Sequence, residues 1–164
     1  MVWIRIFLSF YAGLVGMAIG SFLNVVVWRL PRGGSLVHPP SACPACGHRL
    51  RTADLVPVVS WLALHGRCRY CGSPIAIRYP LVEFGTALVF AFLAAGYGFS
   101  VWILPPLAMA ILLIPAGLIA HDAAASAPRG RRFLYRLLSL LAAAGLLCLM
   151  IRPWLSFPWL SFVC

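Results

Sequence analysis

The sequence predicts an all-α, polytopic membrane protein with about four transmembrane helices and a cytoplasmic loop with four cysteines between helices 1 and 2. The 164 residues are 63% apolar and 10% charged, with a mean hydropathy of +0.97, whereas soluble domains are about half apolar and a quarter charged. The apolar residues form four long runs. The formal net charge of +10 comes from arginine alone, and most arginines lie beside those runs.

The apolar runs define the predicted helices. At about 1.5 Å per residue the first run is about 33 Å long, enough to cross a hydrocarbon core of about 30 Å. It continues directly into Arg29, so we expect a retained helix and not a cleaved signal peptide. Prolines at 105, 106 and 115 predict that the third helix is kinked or begins after the proline pair. The predicted spans are Phe7 to Trp28, Leu81 to Tyr97, Val101 to Ala120 and Phe133 to Ile151.

Small and polar residues share one face of the first helix. Gly16 and Gly20 form a small-xxx-small pair, which favours close packing inside the bundle over dimerisation. Ser21 and Asn24 continue near that face. Because polar groups in lipid need partners, we expect both to point into the protein.

The arginines predict the orientation, because cytoplasmic loops are rich in basic residues. The two connections between spans in which most arginines lie are therefore predicted to be cytoplasmic, and the N-terminus is predicted to lie outside. Arg5 and Arg152 are exceptions, because they fall on the opposite side. The arginines flank the spans instead of forming a surface interleaved with aromatics, so membrane lipids are expected partners and nucleic acid is not. The connection between spans one and two has Arg29, Arg32, Arg49, Arg51, Arg67, Arg69 and Arg78, and the next cytoplasmic connection has Arg129, Arg131 and Arg132.

The chain divides into three predicted parts. Residues 1–30 form the first transmembrane helix, residues 31–80 the cytoplasmic cysteine loop, and residues 81–164 the other three helices with an apolar tail. That tail, from Pro153 to Cys164, is too short to cross and is expected at an interface.

The cysteine loop contains the pattern C-x2-C-x21-C-x2-C, formed by Cys43, Cys46, Cys68 and Cys71. This spacing is close to that of zinc-ribbon-like sites, in which two Cys pairs supply four thiolates. Two disulfides are the competing interpretation, but thiols stay reduced in the cytoplasm. A closed four-thiolate site has no position for water, so the predicted zinc is structural.

Residues around the pairs fit a metal site. A glycine follows each pair, at 47 and 72, where a sharply folded knuckle often needs positive φ. Arg49, Arg67 and Arg69 would help to offset the thiolate charge. His48 and His65 lie near the knuckles and are expected at the surface or around the site, not as ligands.

Only three residues are acidic. Asp54 is expected to cap a helix or pair with an arginine. Glu83 lies near the start of span two, where a charge must face protein or water, so it is a candidate site residue. Asp122, at the predicted end of span three, is either catalytic or simply solvated. An aspartic peptidase needs two carboxylates around one water, and the residues alone offer one credible member.

Three motifs occur in order: Gly20-Ser-Phe-Leu-Asn24-Val-Val-Val-Trp-Arg29-Leu-Pro31, the two Cys pairs, and Arg78-Tyr-Pro-Leu-Val-Glu83. With these motifs the chain closely resembles the N-terminal half of bacterial type IV prepilin peptidases over about residues 13 to 95. The resemblance implies a polytopic inner-membrane enzyme, so the N-terminus that the arginines predict to lie outside would be periplasmic. Such enzymes cleave the leader of prepilins and pseudopilins at the cytoplasmic face and methylate the new N-terminus with S-adenosylmethionine.

The resemblance also implies an aspartic peptidase whose first Asp corresponds to Asp122. In the family a Pro follows about seven residues later, whereas Pro128 here comes one residue early. The family's second acid, in a Gly-x-Gly-Asp motif, is absent from this sequence. We therefore expect a truncated, split or degenerate member that is incomplete as a peptidase by itself.

The leading hypothesis is a prepilin-peptidase-like membrane protein whose active site is completed by a partner chain, with Asp122 and Glu83 as candidate catalytic residues. Glu83 and the cysteine loop would help to hold substrate or the methyl donor. One alternative is a non-catalytic zinc-binding module of a pilus or type II secretion assembly. Another is a methyltransferase without peptidase activity, although no Gly-rich loop of the Rossmann kind is present.

Overall fold

The computed structural model describes residues 2–98 and 100–155, and within them the chain is helical apart from its connections. Four helices are long and one, α2, is short. Single 3-10 turns precede or follow the helices at Leu30–Arg32, Thr52–Leu55 and Val101–Ile103. The helices are α1 (Val2–Arg29), α2 (Val59–Ala63), α3 (Arg78–Tyr97), α4 (Leu104–Ser126) and α5 (Arg129–Leu155).

Helices α1 and α3 pack closely because glycine replaces a side chain where they meet. A Cβ atom added at Gly16 would lie 2.7 Å from the Cβ of Phe90 and 2.9 Å from the carbonyl oxygen of Thr86. One added at Gly20 would lie 2.8 Å from the Cα of Glu83. Real Cβ atoms do not approach so closely, so the predicted small-xxx-small contact is confirmed, and it lies within the chain.

Helices α4 and α5 form the second pair. Gly117 on α4 faces Ala142, and Gly145 on α5 faces Leu113, with added Cβ atoms at 3.1 and 3.3 Å from those side chains. The helix α4 begins before the proline pair and not after it, since Pro105 and Pro106 occupy its first turn. Their missing N–H groups cost nothing there because the first N–H groups of a helix have no partner within it.

One apolar cluster joins the two helix pairs. Its buried members are Val89, Phe90 and Leu93 of α3 and Ala110 of α4. Partly buried side chains from α1 and α5, among them Ile19 and Met150, complete it. The four long helices therefore form one bundle with α3 at its centre.

The four long helices are long and apolar enough to cross a membrane. Many large apolar side chains on them are exposed, as expected where a bundle faces lipid. The predicted all-α polytopic membrane fold is confirmed. The helices extend beyond most of the predicted spans, because polar and arginine-containing residues at their ends are also helical. The predicted interfacial tail lies mostly outside the described residues, and its first residues, through Leu155, continue α5.

The close contact at Gly16 makes a testable prediction. Gly16→Ala adds one methyl group against Phe90 and Thr86, and such overpacking costs about 1–3 kcal/mol of stability. Gly85→Ala is the matched control, because a Cβ there meets nothing within 4 Å and alanine favours a helix by about 1 kcal/mol. Thermal unfolding in one detergent should give a lower midpoint for Gly16→Ala and an unchanged or higher one for Gly85→Ala. Equal midpoints would contradict the close contact.

Candidate functional site

The two Cys pairs lie in knuckles that repeat each other's backbone hydrogen bonds. The N–H of Cys43 donates to the carbonyl of His48 at 2.9 Å, and that of Cys68 donates to the carbonyl of Ser73 at 2.8 Å. In both knuckles the following glycine donates to the first cysteine's carbonyl at 2.9 Å. Both glycines have the predicted positive φ, 71° at Gly47 and 70° at Gly72.

The two knuckles bring the four cysteine sulfurs close together. The Sγ atoms of Cys43, Cys46, Cys68 and Cys71 all lie within 4.8 Å of one another. Four sulfurs at about 2.3 Å from a tetrahedral zinc are about 3.8 Å apart, and those of Cys43 and Cys71 are 3.9 Å apart. None of the four forms a disulfide. Four thiols in this arrangement could hold a metal ion.

The surrounding polar groups favour the thiolate at two of these cysteines. The N–H groups of Cys46 and Ala45 lower the pKa of the Cys43 thiol to about 6. The hydroxyl and N–H of Ser73 lower the pKa of Cys71. At Cys46 the His48 N–H lowers the pKa, but partial burial and the neighbouring thiols outweigh it and raise the pKa to about 11. Negative charge on the neighbouring thiolates therefore opposes deprotonation of Cys46, and a bound cation would offset that charge.

Asp54 ties the segment between the knuckles to the second knuckle. Its carboxylate accepts hydrogen bonds from Nε of Arg69 at 2.6 Å, the hydroxyl of Tyr70 at 3.2 Å and the N–H of Arg51 at 3.2 Å. The Arg69 guanidinium lowers the pKa of this carboxyl. Asp54 thus both caps a turn and pairs with an arginine, as predicted. Arg69, expected to offset thiolate charge, has this carboxylate as its partner.

Both knuckle histidines are exposed, in line with their predicted surface position. The ring of His48 stacks on that of Tyr70, with centroids 3.6 Å apart. His48 comes from the first knuckle and Tyr70 from the second, so this contact also joins them.

Glu83 holds a strained loop against α3. It is buried, and its Oε2 accepts a hydrogen bond of 2.7 Å from the N–H of Val58. Val58 has a φ of 59° and a ψ of −50°, a sparsely populated conformation that costs a β-branched residue about 1–3 kcal/mol. Glu83 therefore faces protein, as its position in the span requires, and fixes the residue that precedes α2.

Asp122 pairs with Arg78 across the bundle. Nη1 of Arg78, the first residue of α3, donates to Oδ2 of Asp122 at 2.6 Å, and both side chains are about two-fifths exposed. Nη2 of Arg78 is buried and has no hydrogen-bond partner among the described residues. Asp122 lies within α4, not at its end, because that helix continues to Ser126. This pair fixes the Asp122 end of α4 beside the start of α3.

Asn24 is a further polar contact at the same end. It is buried on α1, as predicted, and its amide donates to the carbonyl of Tyr79 at 3.2 Å. The predicted site residues thus form separate groups: the four thiols meet, whereas Asp54, Glu83 and Asp122 each have a different partner. Sequence reasoning missed the pairing of Arg78 with Asp122. The pairing could have been suspected from the scarcity of carboxylates, because each acid that is buried or lies at the level of the membrane needs a hydrogen-bond donor.

Comparison with known proteins agrees with this architecture. Residues 14–97, which include α3 and all four cysteines, match the family described as "Bacterial Peptidase A24 N-terminal domain". The chain belongs to this family. The resemblance predicted from the three motifs is therefore confirmed.

Several curated relatives are similar over a longer stretch. The prepilin leader peptidase/N-methyltransferase of Myxococcus xanthus strain DK1622 is 46% identical over 109 residues, covering 66% of this chain and 32% of that protein. The Pseudomonas putida protein of the same name is 41% identical over 133 residues, covering 68% and 46%. The type 4 prepilin-like proteins leader peptide-processing enzyme of Escherichia coli O78:H11 is 41% identical over 125 residues, covering 65% and 46%.

The chain thus spans about a third to a half of the length of the curated relatives it matches. No solved structure matches it significantly. Family membership therefore rests on the sequence comparisons, and the fold on the helices described above.

The contacts of Asp54 make a second prediction. Asp54→Asn removes the charge that holds Arg69, so the knuckles should be held less firmly and metal affinity should fall by about tenfold or more. Asp122→Asn is the matched control, because its carboxylate pairs with Arg78 instead. Competition with a coloured chelator measures both affinities. Equal affinities for the two variants would contradict the role of Asp54.

Proposed function

We propose that this chain corresponds to the N-terminal part of a prepilin leader peptidase/N-methyltransferase. In this proposal the connection between α1 and α3, which we call the knuckle module, binds zinc and is joined to the membrane helices, one of which carries Asp122. The match of residues 14–97 to the peptidase family is the observation that carries the proposal. The names of the relatives support the reaction class, leader cleavage followed by N-methylation. The substrate would be a prepilin or pseudopilin.

The metal in this proposal is zinc, bound by Cys43, Cys46, Cys68 and Cys71. Four thiolates favour zinc over hard cations such as magnesium or calcium, which prefer oxygen ligands. All four positions of a tetrahedral ion would be filled by protein, so the zinc would stabilise structure and take no part in peptide hydrolysis.

Asp122 would supply one of the two carboxylates of an aspartic peptidase. In such a site one carboxylate takes a proton from the attacking water while the other, protonated, donates to the carbonyl oxygen. Arg78 would hold Asp122 in place through their 2.6 Å contact. Asp54 and Glu83 are engaged elsewhere, so the second catalytic acid would come from residues outside these 164, in the same or another polypeptide.

Glu83 would act chiefly as a positioning residue in this scheme, since its carboxylate holds Val58. Family similarity also supports S-adenosylmethionine as the methyl donor.

The proposed location is the bacterial inner membrane. The arginines of the connection between α1 and α3 would place the knuckle module in the cytoplasm and the N-terminus in the periplasm. A reducing cytoplasm would keep the four thiols available for zinc. The division into residues 1–30, 31–80 and 81–164 follows from this topology.

The catalytic proposal predicts cleavage that depends on Asp122. The chain, reconstituted in vesicles with the polypeptide that supplies the second acid, should shorten a model prepilin, and S-adenosylmethionine should add one methyl group to the new N-terminus. Mass spectrometry of the product reports both steps. Asp122→Asn should abolish cleavage, while Asp54→Asn should retain it at saturating zinc.

Full cleavage by Asp122→Asn would refute the catalytic role of that residue. Binding of pilus or secretion proteins without any processing would favour the alternative function, a non-catalytic zinc-binding membrane module. Methylation of a precleaved substrate without cleavage would favour a methyltransferase.

The zinc proposal predicts about one zinc per chain. Cys68→Ser should lose the metal, because a three-thiolate site leaves one coordination position open to water. An intact structural zinc site contributes about 10–16 kcal/mol of apparent binding free energy. Cys148→Ser is the control, since Cys148 is an exposed thiol on α5. Elemental analysis of the purified proteins measures zinc. Zinc retained by Cys68→Ser would contradict the proposed ligand set.

A further inference from the structure

Residues 55–64 form an uncharged apolar segment inside an otherwise arginine-rich connection. The segment includes α2, and four of its large apolar side chains are exposed: Leu55 at 42%, Val56 at 44%, Val59 at 58% and Leu62 at 60%. We call these four side chains the α2 apolar surface. Val59 and Leu62 are three residues apart in one helix, so they lie on the same face. Four exposed large apolar side chains within eight residues of sequence indicate a surface that contacts something other than water.

Two hydrogen bonds fix this segment beside the start of α3. Glu83 accepts from the N–H of Val58 at 2.7 Å, and the indole N–H of Trp61 donates to the carbonyl of Ile75 at 3.1 Å. Glu83 is five residues into α3, about 8 Å along its axis. Since α3 crosses the membrane, α2 lies at the level where headgroups meet hydrocarbon.

The opposite side of α2 already has a protein partner. The Trp61 ring packs against Gly66, where an added Cβ would lie 2.8 Å from it. That contact and the Glu83 bond turn one side of the segment toward the second knuckle and α3. The four side chains of the α2 apolar surface remain exposed.

The charges around the segment complement an anionic membrane surface. Arg49 and Arg51 precede it and Arg67 and Arg69 follow it, and all four are exposed. Asp54, the one acidic residue between them, pairs with Arg69, so Arg49, Arg51 and Arg67 supply the net positive charge. An apolar face flanked by arginines is typical of interfacial helices, whose apolar side chains enter the headgroup boundary while their cations contact anionic lipids.

We propose that the α2 apolar surface is a lipid-binding surface that seats the knuckle module on the membrane. The occupant is the bilayer in which α1 and α3 lie, because the segment is tied to Glu83 near the start of α3 and arginines flank its exposed apolar side chains. The module is then fixed in height and tilt above the lipid, independently of any substrate. This inference depends on the membrane-spanning fold and not on the proposed peptidase function.

The test places a photoreactive side chain on the surface. Leu62 is replaced by p-benzoylphenylalanine in the full chain, reconstituted in nanodiscs of phosphatidylethanolamine and phosphatidylglycerol, and Val59 is replaced in a second variant. Ala45, exposed between Cys43 and Cys46, is the control position. Thermal unfolding midpoints show whether each variant is folded.

After illumination, mass spectrometry of the peptides should find lipid adducts several-fold more often at positions 62 and 59 than at position 45. Equal adduct yields at the three positions would overturn the proposal. So would crosslinks from positions 59 and 62 to a second copy of the chain or to an added prepilin peptide in place of lipid.

Discussion

The connection between α1 and α3 has almost no apolar core, so its folding depends on the four thiols that meet between its knuckles. Among its described residues, the buried side chains are those of Cys43 and Cys68. A segment of this size cannot bury enough apolar surface to offset its conformational entropy without a further constraint. A metal bound by four thiolates would supply that constraint, and the Asp54 and His48 contacts join the two knuckles.

Polar contacts hold the helices together at the end where the knuckle module joins them. Asn24 connects α1 with α3, Glu83 connects α3 with the strained Val58, and Arg78 connects α3 with Asp122 of α4. The glycine contacts between α1 and α3 keep these helices close enough for that network. The position of Asp122 therefore depends on the start of α3, which also holds the knuckle module through Glu83. Through this shared contact a structural metal centre could affect a distant carboxylate.

Local patterns were enough to predict most of the fold. The apolar runs predicted the four long helices, and the spacing of Gly16 and Gly20 predicted the close packing of α1. The Cys-Gly knuckles predicted the thiol cluster. Contacts between distant residues were not predictable from one sequence, because nothing local indicates that Arg78 faces Asp122 or that Glu83 reaches Val58. The repeat of the knuckles was predictable because each Cys pair is followed by glycine, at 47 and 72.

X-ray absorption at the zinc edge of the purified chain tests the four-thiolate centre directly. We expect four sulfur neighbours at about 2.3 Å and no nitrogen or oxygen in the first coordination sphere. A first sphere with nitrogen or oxygen ligands would contradict the proposed four-thiolate centre. A chain that contains no zinc and keeps its knuckles folded would contradict the dependence of this region on metal.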